Sequence, residues 1–309
     1  MKLFTGSSNP NLTQKVADIL NVTLSKATVT NFGNSELKVR IEDDVKNEDC
    51  VVIQPTSNPT NTSLMELCFF CDALRREEAH KVIGIIPYFG YAKQNIQHVP
   101  GECVSVNVVI KFLETLGFSK IYTFDLHDEA TAGVFSIPFR NMSALPFLAQ
   151  KIKKYFESNS VDINDVVVVS PDQGAVEKVR QFGTSFYGTD EFHEVVIEKK
   201  RDQKTAHKAH PMDLYGNVEG KIALIVDDMV VSGSTVIPAV DLCLERGATK
   251  VYVTAVHHDF TTSAHEKLQN SKLERFFTTD SILLKEEQRF EKLEEFSLAE
   301  LIAEELRNL

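Results

Sequence analysis

The chain has 309 residues and a net charge of −11, from 33 basic and 44 acidic side chains. That length accommodates two domains of ordinary size. The acidic balance argues against a broad nucleic-acid-binding face, and no apolar run approaches the ~20 residues of a membrane span. Five cysteines in a chain this long do not make a disulfide framework. Met1-Lys2-Leu3-Phe4-Thr5-Gly6 lacks a signal-peptide apolar core and reads as a first strand, which predicts a cytoplasmic protein.

Strand-like and helix-like segments alternate along the chain. Cys50–Gln54 reads as a strand. Ser63-Leu-Met-Glu66 reads as a capping box opening a helix to about Glu78. A strand is expected over Lys81–Pro87, a helix over Ser105–Leu116 closed by Gly117, and a strand over Lys120–Phe124. The pattern continues with a helix at Pro146–Glu157 and strands at Val166–Val169, Glu194–Glu198 and Ile222–Val226. A helix at Thr235–Arg246 and a strand at Val251–Val256 complete it. Such alternation predicts doubly wound α/β architecture with mainly parallel sheets. The polar tract Lys199–Asn217 reads as a loop or ribbon, and residues 286–309 as a terminal helix. Cys68 and Cys71 share a C-x-x-C spacing, but on an apolar helix with no second pair nearby, so a packed face is the better reading.

Part of the sequence repeats. Gly117-Phe-Ser-Lys120-Ile-Tyr122 matches Gly247-Ala-Thr-Lys250-Val-Tyr252, and each segment ends in a histidine, His127 or His257. Val51–Pro55 resembles Val167–Pro171, and Lys81–Ile86 resembles Lys221–Val226. The three matches fall in the same order, which predicts two copies of one α/β domain. The expected boundaries are 1–144 and 145–285, with the helix at 286–309 docking on the first copy.

The most informative segment is Ile222-Ala-Leu-Ile-Val-Asp227-Asp228, followed by Val231-Ser232-Gly233-Ser234-Thr235 and a helix. A buried strand ends in two carboxylates, and a loop of small residues leads into a helix N-terminus. Small residues let backbone N–H groups surround an anion, and the helix adds partial positive charge. Two acids beside such a cradle would repel a phosphate. They make sense if they hold sugar hydroxyls or a metal ion next to it, so a sugar phosphate is the expected ligand. Other strand ends carry candidate chemistry too. His127 sits among Asp125, Asp128 and Glu129, and Asp172 precedes a Gly turn; both could hold Mg²⁺. Lys199-Lys200-Arg201 could neutralise a polyphosphate. Tyr88 to Asn95 could frame a base and a phosphate.

Together these segments resemble ribose-phosphate pyrophosphokinases (PRPP synthases). The landmarks are Asn58-Pro-Thr-Asn61, Leu64-Met-Glu-Leu67, Asp72-Ala-Leu-Arg-Arg76, Ile86–Ala92, Asp125-Leu-His127, Val169-Ser-Pro-Asp172, Lys199–Arg201 and Val226-Asp-Asp228. Pro100-Gly-Glu102, Asp128-Glu129 and Glu198–Arg201 resemble the archaeal-type branch more than the common bacterial one. The resemblance implies two tandem phosphoribosyltransferase-like domains. It implies transfer of the β,γ-diphosphate of Mg²⁺-bound ATP to the C1 hydroxyl of ribose 5-phosphate, giving PRPP and AMP. By position, Asp227 and Asp228 would take the ribose hydroxyls, and Ser232, Gly233, Ser234 and Thr235 the 5-phosphate. His127 and Asp172 would meet Mg²⁺. Lys199 and Arg201 would stabilise the transferring phosphoryl group. Lys93, Gln94 and Asn95 would meet ATP, joined by Phe32, Asn34 and Glu36 of a neighbouring subunit, in a homo-oligomer of dimers or hexamers. The chain departs from the usual family pattern at Val231, Lys93 and Asn34, where Asp, Arg and Asp are common. Two alternatives therefore stand beside the leading one: a non-catalytic regulatory paralogue, and a diphosphotransferase for another 5-substituted ribose.

Overall fold

In the computed structural model, which describes residues 1–199 and 212–309, the apolar runs form two mainly parallel sheets. The chain divides into two compact units: residues 1–142, 280–283 and 297–309, and residues 143–279 and 284–296.

In the first unit, β1 (Lys2–Thr5) leads into α1 (Pro10–Leu20), which Asn9 caps by accepting from Leu12 N–H. A hairpin of β2 (Ala27–Asn31) and β3 (Leu37–Ile41) follows. The classical alternation resumes with β4 (Asp49–Ile53), α2 (Thr60–Arg76), β5 (Lys81–Ile86), α3 (Ser105–Leu116), β6 (Lys120–Phe124) and β7 (Phe139–Met142). The sheet order is β1-β4-β5-β6-β7, parallel throughout. Its central strands are buried on both faces, as uninterrupted Val/Ile runs require. Cys68 and Cys71 belong to this core, and burial pushes their thiols up to about 11 and about 12. The packed-face reading of the C-x-x-C spacing holds.

The second unit contains α4 (Leu145–Ser158), β8 (Val166–Ser170), α5 (Val176–Tyr187), β9 (Val195–Lys199), β10 (Met212–Tyr215) and β11 (Ile222–Val230). Then come α6 (Val236–Glu245), β12 (Lys250–His258), α7 (Ala264–Asn270), β13 (Phe276–Thr279) and β14 (Leu293–Phe296). The sheet order is β10-β9-β8-β11-β12-β13-β14, with only β10 antiparallel to its neighbour.

The sequence repeat has a structural counterpart. β4, β5 and β6 are consecutive neighbours in one sheet, and their matches β8, β11 and β12 are consecutive neighbours in the other. Gly117 and Gly247 follow α3 and α6 with φ of 98° and 89°, a left-handed turn that glycine adopts without a Cβ clash.

Three expectations are corrected. Ser63 and Glu66 form no capping box, because α2 begins a turn earlier, at Thr60. Glu66 is fully buried and accepts instead from Ser7 N–H (2.6 Å) and Ser7 Oγ (2.5 Å), fixing the loop after β1. The segment 286–309 is not one helix. Phe290, Leu293 and Phe296 are spaced as a helical stripe, but the open edge of β13 takes Leu293–Phe296 as a parallel strand. Glu286–Gln288 forms a single 3-10 turn, and the α-helix is confined to Ala299–Arg307 (α8), which packs on α1. Finally, β11 does not stop at Val226: it pairs with β12 as far as Val230, because β12 itself runs to His258.

Candidate active site

In open α/β sheets, ligands bind at the carboxyl ends of strands where the strand order reverses. In the first unit the parallel order runs one way, without reversal. In the second, β8 is followed by β9 on one side, while β11 lies on the other side of β8 and leads away to β12. The crevice between the carboxyl ends of β8 and β11 is therefore the switch point.

The residues at that point come from predictable places. β11 pairs with β8 only over Ile222–Ile225, opposite Val166–Val169. Beyond Ser170 the chain turns away: Ser170 Oγ donates to Asp172 O at 2.6 Å, and Asp172 Oδ1 accepts from Ala175 N–H at 3.2 Å. β11 continues past that turn, so Asp227 and Asp228 stand on a strand whose β8 side has opened. Asp227 is half-buried and Asp228 is buried, 4% exposed. Asp227 Oδ1 accepts from Asp228 N–H at 2.8 Å.

The two acids differ electrostatically. Asp228 Oδ2 pairs with Lys178 Nζ of α5 at 2.9 Å. The Asp227 carboxyl is pushed well above the usual carboxylate range, first by burial, then by repulsion from Asp228, with a smaller push from Asp172. A site that makes a carboxylate this uncomfortable is suited to a hydroxyl donor or a cation.

The small-residue loop follows directly. Val231 O accepts from Thr261 N–H (2.9 Å), anchoring the start of the loop. Gly233 takes the left-handed turn with φ 76°, and Ser234 stays outside that region. Ser232 Oγ donates to Ser234 Oγ at 2.9 Å. Ile237 N–H reaches back to Gly233 O at 2.9 Å, so the loop runs straight into the first turn of α6. The loop amides and the helix N-terminus thus share one small region with the acids of β11.

Lys199 is the last residue of β9, the strand beside β8. Glu198 next to it accepts from Gln173 Nε2 (2.9 Å) and from Tyr215 Oη (2.8 Å), which ties β9 to the turn after β8 and to β10. Arg201 lies outside the described residues. Asp172 follows β8, Lys199 ends β9 and Asp227 stands in the carboxyl half of β11, on three adjacent strands.

The remaining candidates belong to the first unit. Lys93, Gln94 and Asn95 follow β5; Lys93 and Gln94 are exposed. Gln94 Oε1 accepts from Ser105 Oγ at 2.5 Å, and Asn95 Nδ2 donates to Asp128 Oδ2 at 2.6 Å. Those bonds hold the loop after β5 against the start of α3 and the loop after β6. His127 is exposed in that second loop. Phe32, Asn34 and Glu36 form the exposed tip of the β2–β3 hairpin, with Phe32 54% exposed. Glu36 also lines a cleft of about 520 Å³ with Asn61, Met65 and Phe69 of α2.

One residue beside the acids of β11, Lys178, was not singled out from sequence. It lies four residues before Phe182, on the stripe formed by Ala175, Val179, Phe182 and Phe186, all buried. A lone lysine on the apolar stripe of a helix that follows a functional strand end is the signal that could have found it.

The chain was compared with known proteins. Residues 1–117 match the model of the N-terminal domain of ribose phosphate pyrophosphokinase, and residues 159–309 match the phosphoribosyl synthetase-associated domain. A ribose-phosphate pyrophosphokinase of Fusobacterium nucleatum is 36% identical over 303 residues, 98% of this chain and 93% of the relative. The chain belongs to the ribose-phosphate pyrophosphokinase family. A Bacillus subtilis member is 34% identical over 304 residues, covering 98% of this chain and 92% of the relative. The crystal structure of phosphoribosylpyrophosphate synthetase from Mycobacterium smegmatis superimposes with a TM-score of 0.90 at 31% identity, covering 99% of this chain and 97% of that one. Family and fold agree: this is an α/β protein of two tandem phosphoribosyltransferase-like domains, and among the described residues no helix is long and apolar enough to cross a membrane.

The donor set can be tested against Mg²⁺. Among the described residues no three His, Cys, Asp or Glu side chains gather into a metal cage. Mg²⁺ seldom needs one: it keeps several waters and takes one or two carboxylates plus substrate phosphates. Asp172, a single carboxylate at the turn after β8, fits that role. The imidazole of His127 fits best through a water, since Mg²⁺ prefers oxygen ligands.

Proposed function

We propose that the protein transfers the β,γ-diphosphate of ATP to the C1 hydroxyl of ribose 5-phosphate, giving PRPP and AMP. The observation that carries this reading is the switch-point crevice, where Asp172, Lys199, the acids of β11 and the loop 232–235 stand at neighbouring strand ends, in a chain of this family.

Each group has a task there. Asp227 and Asp228 take the ribose hydroxyls, with Asp227 the more open of the two. Backbone amides of Ser232, Gly233, Ser234 and Thr235, together with the α6 N-terminus, hold the 5-phosphate. Lys199 and Arg201 bear on the phosphoryl group in flight. Asp172 and His127 are each assigned to Mg²⁺, directly or through water, and the metal would neutralise charge on the triphosphate. Lys93, Gln94 and Asn95 meet ATP, with Phe32, Asn34 and Glu36 supplied by a second copy in a homo-oligomer. Phosphoryl transfer asks for positioning and charge neutralisation more than covalent chemistry, and these residues supply both.

The domain boundaries belong to the same proposal: 1–144 and 145–285, with the C-terminal helix on the first domain. So does a cytoplasmic location. A tie to the archaeal-type branch rests on Pro100–Glu102, Asp128-Glu129 and Glu198–Arg201 alone; the relatives named above are bacterial.

The deciding experiment incubates purified protein with Mg-ATP and ribose 5-phosphate and measures AMP and PRPP. Stoichiometric formation of both is expected. ATP consumption only with another pentose would move the acceptor, and nucleotide binding without any AMP release would point to a regulatory paralogue.

A further inference from the structure

Successive side chains of a strand point to opposite faces. Asp227 and Asp228 both lie within β11, so they cannot present themselves to one ligand in the same way. The surroundings mark the difference. Asp228 is buried and faces α5, where Lys178 Nζ sits 2.9 Å from Oδ2; the side chains of that pair are 14% and 6% exposed. A lysine at this depth keeps its charge only beside a partner, and a buried carboxylate has the same need. Asp227 is half-buried, and it receives the Asp228 N–H on Oδ1.

We infer that Lys178 is a positioning residue of the ribose site: by anchoring Asp228, it fixes the orientation of its neighbour Asp227, the more open of the two acids, toward the sugar hydroxyls. The inference rests on the crevice being the ribose 5-phosphate site. Three features of the geometry support it. The ion pair links α5, which follows the β8 turn carrying Asp172, to β11, which carries Asp227, so it braces the two walls of the crevice. It offsets one of two adjacent negative charges, so a phosphate-bearing ligand meets less net negative charge. It also fixes the peptide between the two acids, whose N–H orients the Asp227 carboxylate.

The test measures KM for ribose 5-phosphate and kcat in the wild type and in Lys178→Met, Lys178→Arg and Lys178→Met/Asp228→Asn, and measures ribose 5-phosphate binding by calorimetry. Lys178→Met should raise KM and the calorimetric Kd about tenfold or more while kcat falls less than about threefold. Lys178→Arg should stay within about threefold of wild type. The double variant removes the charge from both partners. It should be no weaker than Lys178→Met alone, and it keeps the test readable if the single variant does not fold. An unchanged KM and Kd in Lys178→Met overturns the role. So does a double variant whose loss is the product of the single losses, with Asp228→Asn measured alongside, because that places Lys178 on the ligand independently of Asp228. Wild-type protein that neither binds ribose 5-phosphate nor releases AMP sinks the proposed function instead. Wild-type protein that binds it as tightly as Lys178→Met does sinks only the role of Lys178.

Discussion

Asp228 donates its backbone N–H to the side chain of its own neighbour, Asp227, at 2.8 Å. That bond offsets only part of the cost of ionising Asp227, whose carboxyl is pushed up by burial and by Asp228. A carboxyl with a raised folded pKa carries no penalty below its unfolded value of about 3.9; the penalty grows as pH rises through the folded pKa and stays constant above it. Asp227→Asn should therefore melt about 2 °C or more higher than wild type at pH 7, with the gain vanishing near pH 4. Affinity for ribose 5-phosphate should fall roughly ten- to hundred-fold, as loss of a charged hydrogen bond implies. Scanning calorimetry at the two pH values and ligand titration would check both halves; a variant less stable at pH 7 would contradict the first.

His258 offers an acid-side counterpart. It ends β12, is 1% exposed, and shares Nδ1 with Thr278 Oγ1 at 3.3 Å, while Nε2 has no partner among the described residues. Burial, then the neighbouring His257, push the imidazole down to about 3. The unfolded ring takes a proton near pH 6.5, so the neutral folded ring gives its full stability above that value. The contribution declines as pH falls toward 3, by at most about 1.4 kcal/mol per pH unit. His258→Gln should show a shallower loss of urea midpoint between pH 7 and pH 5 than wild type does.

Gly233 carries the turn of the small-residue loop at φ 76°, and a Cβ there would lie 3.0 Å from Ile237 Cδ1. Gly233→Ala should cost about 1–2 kcal/mol from the left-handed backbone alone. It should also raise KM for ribose 5-phosphate more than KM for ATP. Steady-state kinetics with each substrate varied in turn separates the two, and equal effects on both would argue against a phosphate role for the loop.

Lys199, at the end of β9, is assigned to the transition state and not to ground-state binding. Lys199→Ala should lower kcat about a hundredfold or more while the Kd for ATP changes less than about threefold. Turnover left intact would remove Lys199 from the mechanism.

The first unit has a stability test of its own at Asp280. Its Oδ1 accepts from Leu298 N–H at the start of α8 (2.8 Å), its Oδ2 meets Lys15 Nζ (2.9 Å), and its carbonyl accepts from Asn9 Nδ2 (2.7 Å). Asp280→Ala should cost about 2 kcal/mol or more, because it leaves a buried N–H without a partner. Lys15→Ala should cost less than about 1 kcal/mol, since Lys15 is half exposed and the pair is screened. Denaturant unfolding of the two variants would compare them directly.

What the sequence disclosed follows physical lines. α3 and β6 were legible to the residue because a glycine in the left-handed region closes the helix and β-branched and aromatic residues fill the strand. The acids of β11 and the loop behind them were legible because carboxylates and small residues at a buried strand end have few other uses. The extension of β11 to Val230 was hidden, because it depends on how far β12 pairs alongside it. The β2–β3 hairpin was hidden because its residues alternate between half-buried and exposed and supply no core run. Lys178 escaped because its partner is 50 residues away in sequence, and a lysine spaced along a helix says nothing about the strand beneath it.

The C-terminal segment gives residues 280–283 to the first unit, 284–296 to the second and 297–309 back to the first. No single stretch of polypeptide therefore encodes either half. A chain grown only as far as residue 283 still lacks the edge strand of the second unit and the α8 of the first. Removing the residues after 283 would strip an element from both units at once.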